Sequence, residues 1–126
     1  MTSDARRRAQ ARGATAEHIA AWWLRFKGYR ILAHGFRVAA GEVDLIARRG
    51  RVLTFVEVKR RQDQNAAAAA ITPVQQKRIV RAAQAFLQQR PELAHLRMRF
   101  DAVLIFSTPW PKFSTPRHIE DAWRIT

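Results

Sequence analysis

Two carboxylates stand inside a stretch that otherwise reads as paired β-strand, and they limit what this chain can become. Residues 41–61 run Gly-Glu-Val-Asp-Leu-Ile-Ala-Arg-Arg-Gly-Arg-Val-Leu-Thr-Phe-Val-Glu-Val-Lys-Arg-Arg. Short runs of Val, Ile, Leu and Phe flank a polar Arg-Arg-Gly-Arg break, the pattern of two antiparallel strands and a tight turn. Gly50 supplies the positive φ that such turns often need. Strand side chains alternate faces, so Glu57 and Lys59 share a face with Leu53 and Phe55, and Val56 and Val58 take the other. A loop of two residues (Arg49, Gly50) or of four (residues 48–51) sets Asp44 opposite Phe55, on the face of Glu57 and Lys59. The two acids are then diagonal neighbours, roughly 7–8 Å apart at the backbone, and able to share one divalent cation beside a lysine. A three-residue loop would reverse the parity. Carboxylates among apolar strand residues are costly to bury unless paired or bound to metal. An ordinary ion pair with Lys59 at the rim of a sheet would answer the same constraint.

The length of 126 residues suits one domain with one core, and 48% hydrophobic residues suffice to build it. No cysteine is present, so disulfides and thiolate metal sites are excluded. No apolar run approaches the roughly 20 residues that span a bilayer, and the start lacks a secretory hydrophobic segment, so a cytoplasmic protein is expected. The 23 Lys and Arg against 10 Asp and Glu, formally +13, point to a polyanion, nucleic acid before anionic membrane. A merely basic, soluble surface is the plainer reading.

The rest of the chain supplies an α/β frame for that hairpin. Residues 1–14, with Arg6, Arg7, Arg8 and Arg12, form either a mobile basic arm or a helix extension. Residues 15–27 are helical by the spacing of Ala16, Ile19, Ala20, Trp23, Leu24 and Phe26, and Gly28 is the expected C-cap. Glu17 lies on the line of Ala20, Ala21 and Leu24, which aims an acid at the apolar side. Trp22 and Trp23 are expected in the core rather than as base-stacking platforms. Residues 29–38 read as a first strand. Residues 60–71 mix polar residues and alanines and suggest a loop that either closes over a substrate or merely links. Thr72, Pro73 and Gln75 form a capping box that opens a helix over residues 72–90, stopped by Pro91. Its buried stripe is Ile79, Ala82, Ala83, Phe86 and Leu87, and Gln76 looks back toward the sheet. Residues 98–106 read as a strand buried on both faces. Asp101 there suggests an ion pair with Arg99 or a supporting place beside the site. Residues 107–116 hold three prolines and read as a loop, and residues 118–123 as a last strand or helical turn.

Asp44 followed by Glu57-x-Lys59 resembles the metal-binding core of the PD-(D/E)XK nuclease superfamily. The longer strings Gly-Glu-Val-Asp-Leu-Ile-Ala and Phe-Val-Glu-Val-Lys-Arg closely resemble the YraN-like family, small bacterial proteins similar to archaeal Holliday-junction resolvases. Gly-Tyr-Arg-Ile-Leu, Arg-Phe-Asp-Ala-Val and the closing His-Ile-Glu-Asp-Ala-Trp extend the resemblance over most of the chain. It implies one restriction-endonuclease-like α/β domain over residues 1–126, a central mixed sheet flanked by helices with an αβββαβ core. It further implies that Asp44, Glu57 and the Val58 carbonyl hold Mg²⁺ or Mn²⁺. Lys59 then orients or deprotonates water or steadies phosphate charge, Glu17 holds a second metal or positions water, and Gln76 bonds the water or a phosphate. Gln75 stands where the family has lysine, so one cation expected near the site is missing.

Three functions follow, in order. The first is a metal-dependent endonuclease cutting DNA, branched DNA by likeness to resolvases, with Arg60, Arg61, Lys77, Arg78 and Arg81 on phosphates. A resolvase is expected to act as a homodimer on a two-fold junction. The second is a nucleic-acid-binding module whose nuclease site is silent and which acts through a partner. The third, a membrane-surface protein, lacks a strong basic amphipathic helix.

Overall fold

The structure, a computed structural model, describes residues 3–61, 71–106 and 115–125, with side chains from residue 15 onward. The alanine-rich start continues into the first helix, α1 (Ser3–Phe26). It ends in a paired-bond glycine stop. Gly28, at φ 94, donates its N–H to the Arg25 carbonyl, and Tyr29 N–H donates to Leu24 O. Three strands follow: β1 (Arg30–Val38), β2 (Gly41–Arg49) and β3 (Val52–Arg61). Helix α2 (Pro73–Gln89) carries the expected capping box, with Thr72 Oγ1 accepting from Gln75 N–H and Gln75 Oε1 accepting from Thr72 N–H. A short 3₁₀ turn (Pro91–Leu93) leads to β4 (Arg97–Phe106), and β5 (Arg117–Trp123) closes the chain. Of the loops expected over residues 60–71 and 107–116, residues 62–70 and 107–114 lie outside the described residues, and Arg60 and Arg61 belong to β3 instead of a loop.

The five strands form one sheet in the order β1-β2-β3-β4-β5, antiparallel except where β3 and β4 run parallel. That one parallel pair needs a crossover, and α2 supplies it. The result is a small single α/β domain with a mixed sheet and two helices, consistent with a restriction-endonuclease-like fold. Alternation divides the core in two. Ile46, Leu53, Phe55 and Phe100 meet Ile79, Ala82, Ala83 and Phe86 of α2. Leu45, Ala47, Val56, Val103 and Ile105 meet Ala16, Ala20, Ala21 and Leu24 of α1.

The expectation that Trp22 is core is corrected. Trp22 is 67% exposed and Phe26 85% exposed, and Trp23 is half-buried. Both sides of α1 are apolar, and the sheet packs against the side with small residues because alanines let a helix axis approach closely. The bulky rings are left outside.

Gly41 shows how tightly α2 sits on β2. A Cβ placed there would lie 1.9 Å from the Arg78 carbonyl oxygen and 3.2 Å from the Ala82 nitrogen, both backbone atoms. Gly50 differs, with a φ of 60 but open space where its Cβ would go. Gly41→Ala therefore forces helix and strand apart and is expected to cost about 3 kcal/mol. Gly50→Ala meets only the left-handed backbone penalty of about 1–2 kcal/mol. Urea unfolding of the two variants checks the order.

Candidate active site

The β2–β3 turn fixes where the acids meet. Arg49 pairs with Val52, so the loop is Gly50 and Arg51, with the positive φ at the first of the two. The anticipated loop of Arg49 and Gly50 is off by one residue. Such a slip moves the partner by two and preserves the face. Asp44 therefore faces the same side as Glu57, and the register carried one step past the last rung, Leu45 with Val56, sets them directly opposite instead of diagonal.

That last rung is where the sheet forks. Beyond it β2 stays with β1 as far as Gly41, and β3 stays with β4 as far as Arg61. The Val58 N–H thus lacks a strand partner on the β2 side and donates to Asp44 Oδ2 at 2.8 Å. The N–H and C=O of one strand residue point the same way, so the Val58 carbonyl opens on the same gap. Glu57 and Lys59 flank it, with Lys59 Nζ 3.2 Å from Glu57 Oε1 and both side chains largely buried, 19% and 16% exposed. Glu17 of α1 reaches the fork from the other layer, close enough to the Asp44 carboxyl for a proton on either to bridge them.

Electrostatics at the fork are those of acids crowded out of water. Burial pushes Glu17 up to about 7, helped by the Asp44 charge, a bond to Asp44 and the Glu42 charge. Burial and the Asp44 charge push Glu57 up to about 7 against the pull of Lys59. Burial also raises Asp44, opposed by the Val58 N–H, by bonds with Glu17 and Glu57 and by Lys59. The ion pair favours an ionised Glu57 and the crowding a protonated one, which leaves the group poised near neutrality. Three carboxyls and one ammonium form a set short of positive charge, and a divalent cation would balance it.

Among the described residues no group of three His, Cys, Asp or Glu side chains forms a ready-made metal cage. Mg²⁺ needs none, since it keeps several waters and takes one or two carboxylates. An all-oxygen set of Asp44, Glu57 and the Val58 carbonyl fits Mg²⁺ or Mn²⁺.

The other expected residues divide. Gln76 donates one amide N–H to the Ile71 carbonyl at 3.0 Å and pins the start of α2, which leaves its second N–H and its oxygen for a water or a phosphate. Lys77 and Arg81 lie exposed on α2, as Arg60 does on β3, while Arg61 is half-buried and donates to the Arg60 carbonyl. Arg78 sits 3.8 Å from Glu42, which also meets Arg37 at 2.9 Å. A small cavity beside Glu57 is lined by Glu42, Gln75, Arg78 and Ile79. Gln75 falls beside the site, as the resemblance implied for that position, while Glu42 as a neighbour of the site was missed. The signal for Glu42 was its place two residues before Asp44, on the same face of one strand. Asp101 is not beside the site. It is fully buried and accepts from Arg99, from His118 and from the Asp121 N–H. Burial alone would raise it, but those bonds prevail and hold it well below the usual carboxylate range.

Raised folded-state values mean that the folded chain holds more protons than the unfolded one between about pH 4.5 and 7. Without metal, stability should fall as pH rises through that window. Glu57→Gln removes one buried charge and should be more stable than wild type at pH 8 by about 1–3 kcal/mol, with little difference at pH 4. Mg²⁺ or Mn²⁺ should raise the wild-type melting temperature at pH 8 and leave that of Asp44→Asn unmoved. Thermal melts over pH 4–8 with and without metal test all three.

Comparison with known proteins bears on these residues together. The pattern of the uncharacterised protein family UPF0102 matches residues 16–105, a span that contains Glu17, Asp44, Glu57, Lys59 and Gln76. The UPF0102 protein amb4503 of Paramagnetospirillum magneticum is 54% identical over 98% of this chain and 95% of its own length. A UPF0102 protein of Parvibaculum lavamentivorans is 49% identical over 89% of this chain and 80% of its own, and one from Rhodopseudomonas palustris is 53% identical over 88% and 78%. The chain belongs to the UPF0102 family, the YraN-like family that its strand strings resemble.

Proposed function

We propose that this chain is a metal-dependent endonuclease that hydrolyses phosphodiester bonds in DNA. The observation that carries the reading is the meeting of Asp44, Glu57, Lys59 and Glu17 at the fork of the sheet. A structural ion pair explains Glu57 and Lys59 alone. It does not explain two further carboxyls drawn into the same opening with raised pKa values, an arrangement typical of functional sites.

Phosphodiester hydrolysis needs an activated water and relief of charge on the phosphate oxygens. Asp44, Glu57 and the Val58 carbonyl would hold Mg²⁺ or Mn²⁺, which supplies Lewis acidity and lowers the pKa of a bound water. Lys59 stands beside Glu57 and would donate to a non-bridging phosphate oxygen or orient the attacking water. Glu17, half-protonated near neutrality, would accept a hydrogen bond from that water or take its proton. The Val58 N–H keeps Asp44 in one orientation, so the carboxylate need not reorganise when substrate arrives. Lys77 and Arg81, exposed on α2, would meet the backbone of the bound DNA. Action on a four-way junction would call for two copies related by a two-fold axis. Among the described residues no helix is long and apolar enough to cross a membrane, and the reading places the protein with DNA in the cytoplasm.

A second reading, a DNA-binding module with a silent site, draws on the turning of the Gln76 amide to Ile71 and on glutamine at position 75. One experiment separates the two. Linear, nicked, flapped and four-way DNA are incubated with the protein in Mg²⁺ or Mn²⁺, beside Asp44→Ala, Lys59→Ala and Glu17→Gln. The enzyme reading expects cleavage that falls by about 10²–10⁴-fold in the first two variants. It expects a smaller loss, about 10–100-fold, in Glu17→Gln. Binding by every protein with cleavage by none would leave the module as the function.

A further inference from the structure

On the far side of β4 from the acids, level with residues 55–57 of β3, β4 and β5 also part. Phe100 pairs with Trp123 but Ala102 pairs with Ile119, so β5 carries two extra residues between those rungs. Asp121 lies in that excess at φ 54, a left-handed backbone seldom adopted outside glycine. Its N–H donates to Asp101 at 2.9 Å and its carboxylate accepts from Arg124 at 2.7 Å. The bulge opens a recess of about 280 Å³ bounded by Arg97, Arg99, Phe100, Asp121, Trp123 and Arg124. Trp123 stacks on Phe100 at 4.2 Å, and its buried indole N–H has no acceptor among the described residues. Buried donors are seldom left unpaired in native proteins.

The β2–β3 turn borders this recess, since the Arg97 N–H donates to the Arg51 carbonyl at 2.8 Å. Two of the turn arginines are spent on the fold: Arg48 donates to the Gly50 carbonyl, and Arg49 donates to the Lys27 carbonyl over the Tyr29 ring. Arg51 and Arg97 are exposed, and among the described residues neither side chain has an ion-pair partner in contact. Val52, the rung beside Arg97, is five residues from Glu57 along β3, roughly 17 Å.

We infer that the β2–β3 turn end of the sheet is a second nucleic-acid contact, with Arg51 and Arg97 on backbone phosphates. A phosphate offers the acceptors that the Arg51 and Arg97 guanidinium groups lack. The separation from Glu57 equals about five nucleotide steps, so this contact serves a neighbouring segment and not the bond being cut. The inference rests on the nucleic-acid half of the reading above and is independent of catalysis.

The test measures binding in EDTA, where no metal-dependent cutting occurs. Fluorescein-labelled four-way DNA, the matching duplex and a single strand are titrated with wild type, Arg51→Ala/Arg97→Ala and Lys77→Ala/Arg81→Ala, each first shown to be folded by its thermal melt. The Arg51/Arg97 double variant is expected to bind at least tenfold more weakly. Its slope of log affinity against log salt should fall by roughly 1.8, the release of two phosphate contacts. Should that variant melt below wild type, Arg51→Glu alone, a change at an exposed turn, carries the same test. A folded variant that matches wild type in affinity and salt slope on all three DNAs overturns the inference and leaves the function untouched. A wild type that binds none of them overturns both.

Discussion

The Val58 N–H has lost its neighbouring strand and taken a carboxylate instead, and the candidate site follows from that exchange. A backbone donor in a largely buried place must find an acceptor. Where β2 and β3 separate, the Asp44 side chain provides it. The same separation lets Glu17 reach in from α1 and Glu57 from the opposite face of the sheet. A continuous ladder would have sealed the opening with main-chain bonds. The acids occupy a vacancy in the hydrogen-bond pattern, and burial there, with their mutual crowding, raises their pKa values.

Two features keep the fork from closing. Gly41 lets α2 lie against the start of β2 at a distance that no side chain would permit, so the β2 arm is held toward the helix. On the other arm, β4 is anchored to β5 and α1 through buried Asp101. Its four donors come from Arg99 twice, from His118 and from the Asp121 backbone. His118 in turn meets Lys27, and Arg99 meets Tyr29. These contacts span residues far apart in the chain and draw the end of α1 onto the sheet. The carboxylates of Asp44 and Asp101 show how environment sets their behaviour. Asp101 has full hydrogen-bond compensation and is held low, while Asp44, short of donors, is pushed up.

Much of this was legible in the sequence, for identifiable reasons. The hairpin declares itself by alternation, and alternation fixes a face even when the turn is misjudged by one residue. Glycine serves equally well as first or second residue of a two-residue turn, which is why the sequence did not separate Arg49-Gly50 from Gly50-Arg51. The capping box and the glycine stop were readable because each rests on a local bond between near neighbours. Helical spacing aimed Glu17 at the apolar side of α1, and only the resemblance tied it to the site. The burial of α1 was not readable, because alanines at 16, 20 and 21 and aromatics at 22, 23 and 26 make both sides apolar, and only packing distance chooses between them. The partners of Asp101 were half visible. Arg99 stands two residues away, whereas His118 arrives through the fold from the last strand.

The outward rings of α1 have a consequence for how the protein behaves in solution. Ile19, Trp22, Trp23 and Phe26, with Pro116, form an almost wholly apolar concavity on a body with a formal charge of +13. Mutual repulsion keeps such bodies apart in dilute buffer. Electrolyte shortens the reach of that repulsion and leaves oily attraction undiminished. Ionic strength thus acts on the two surfaces in opposite senses, loosening the grip of arginines on polyanions while making the aromatic face more adhesive.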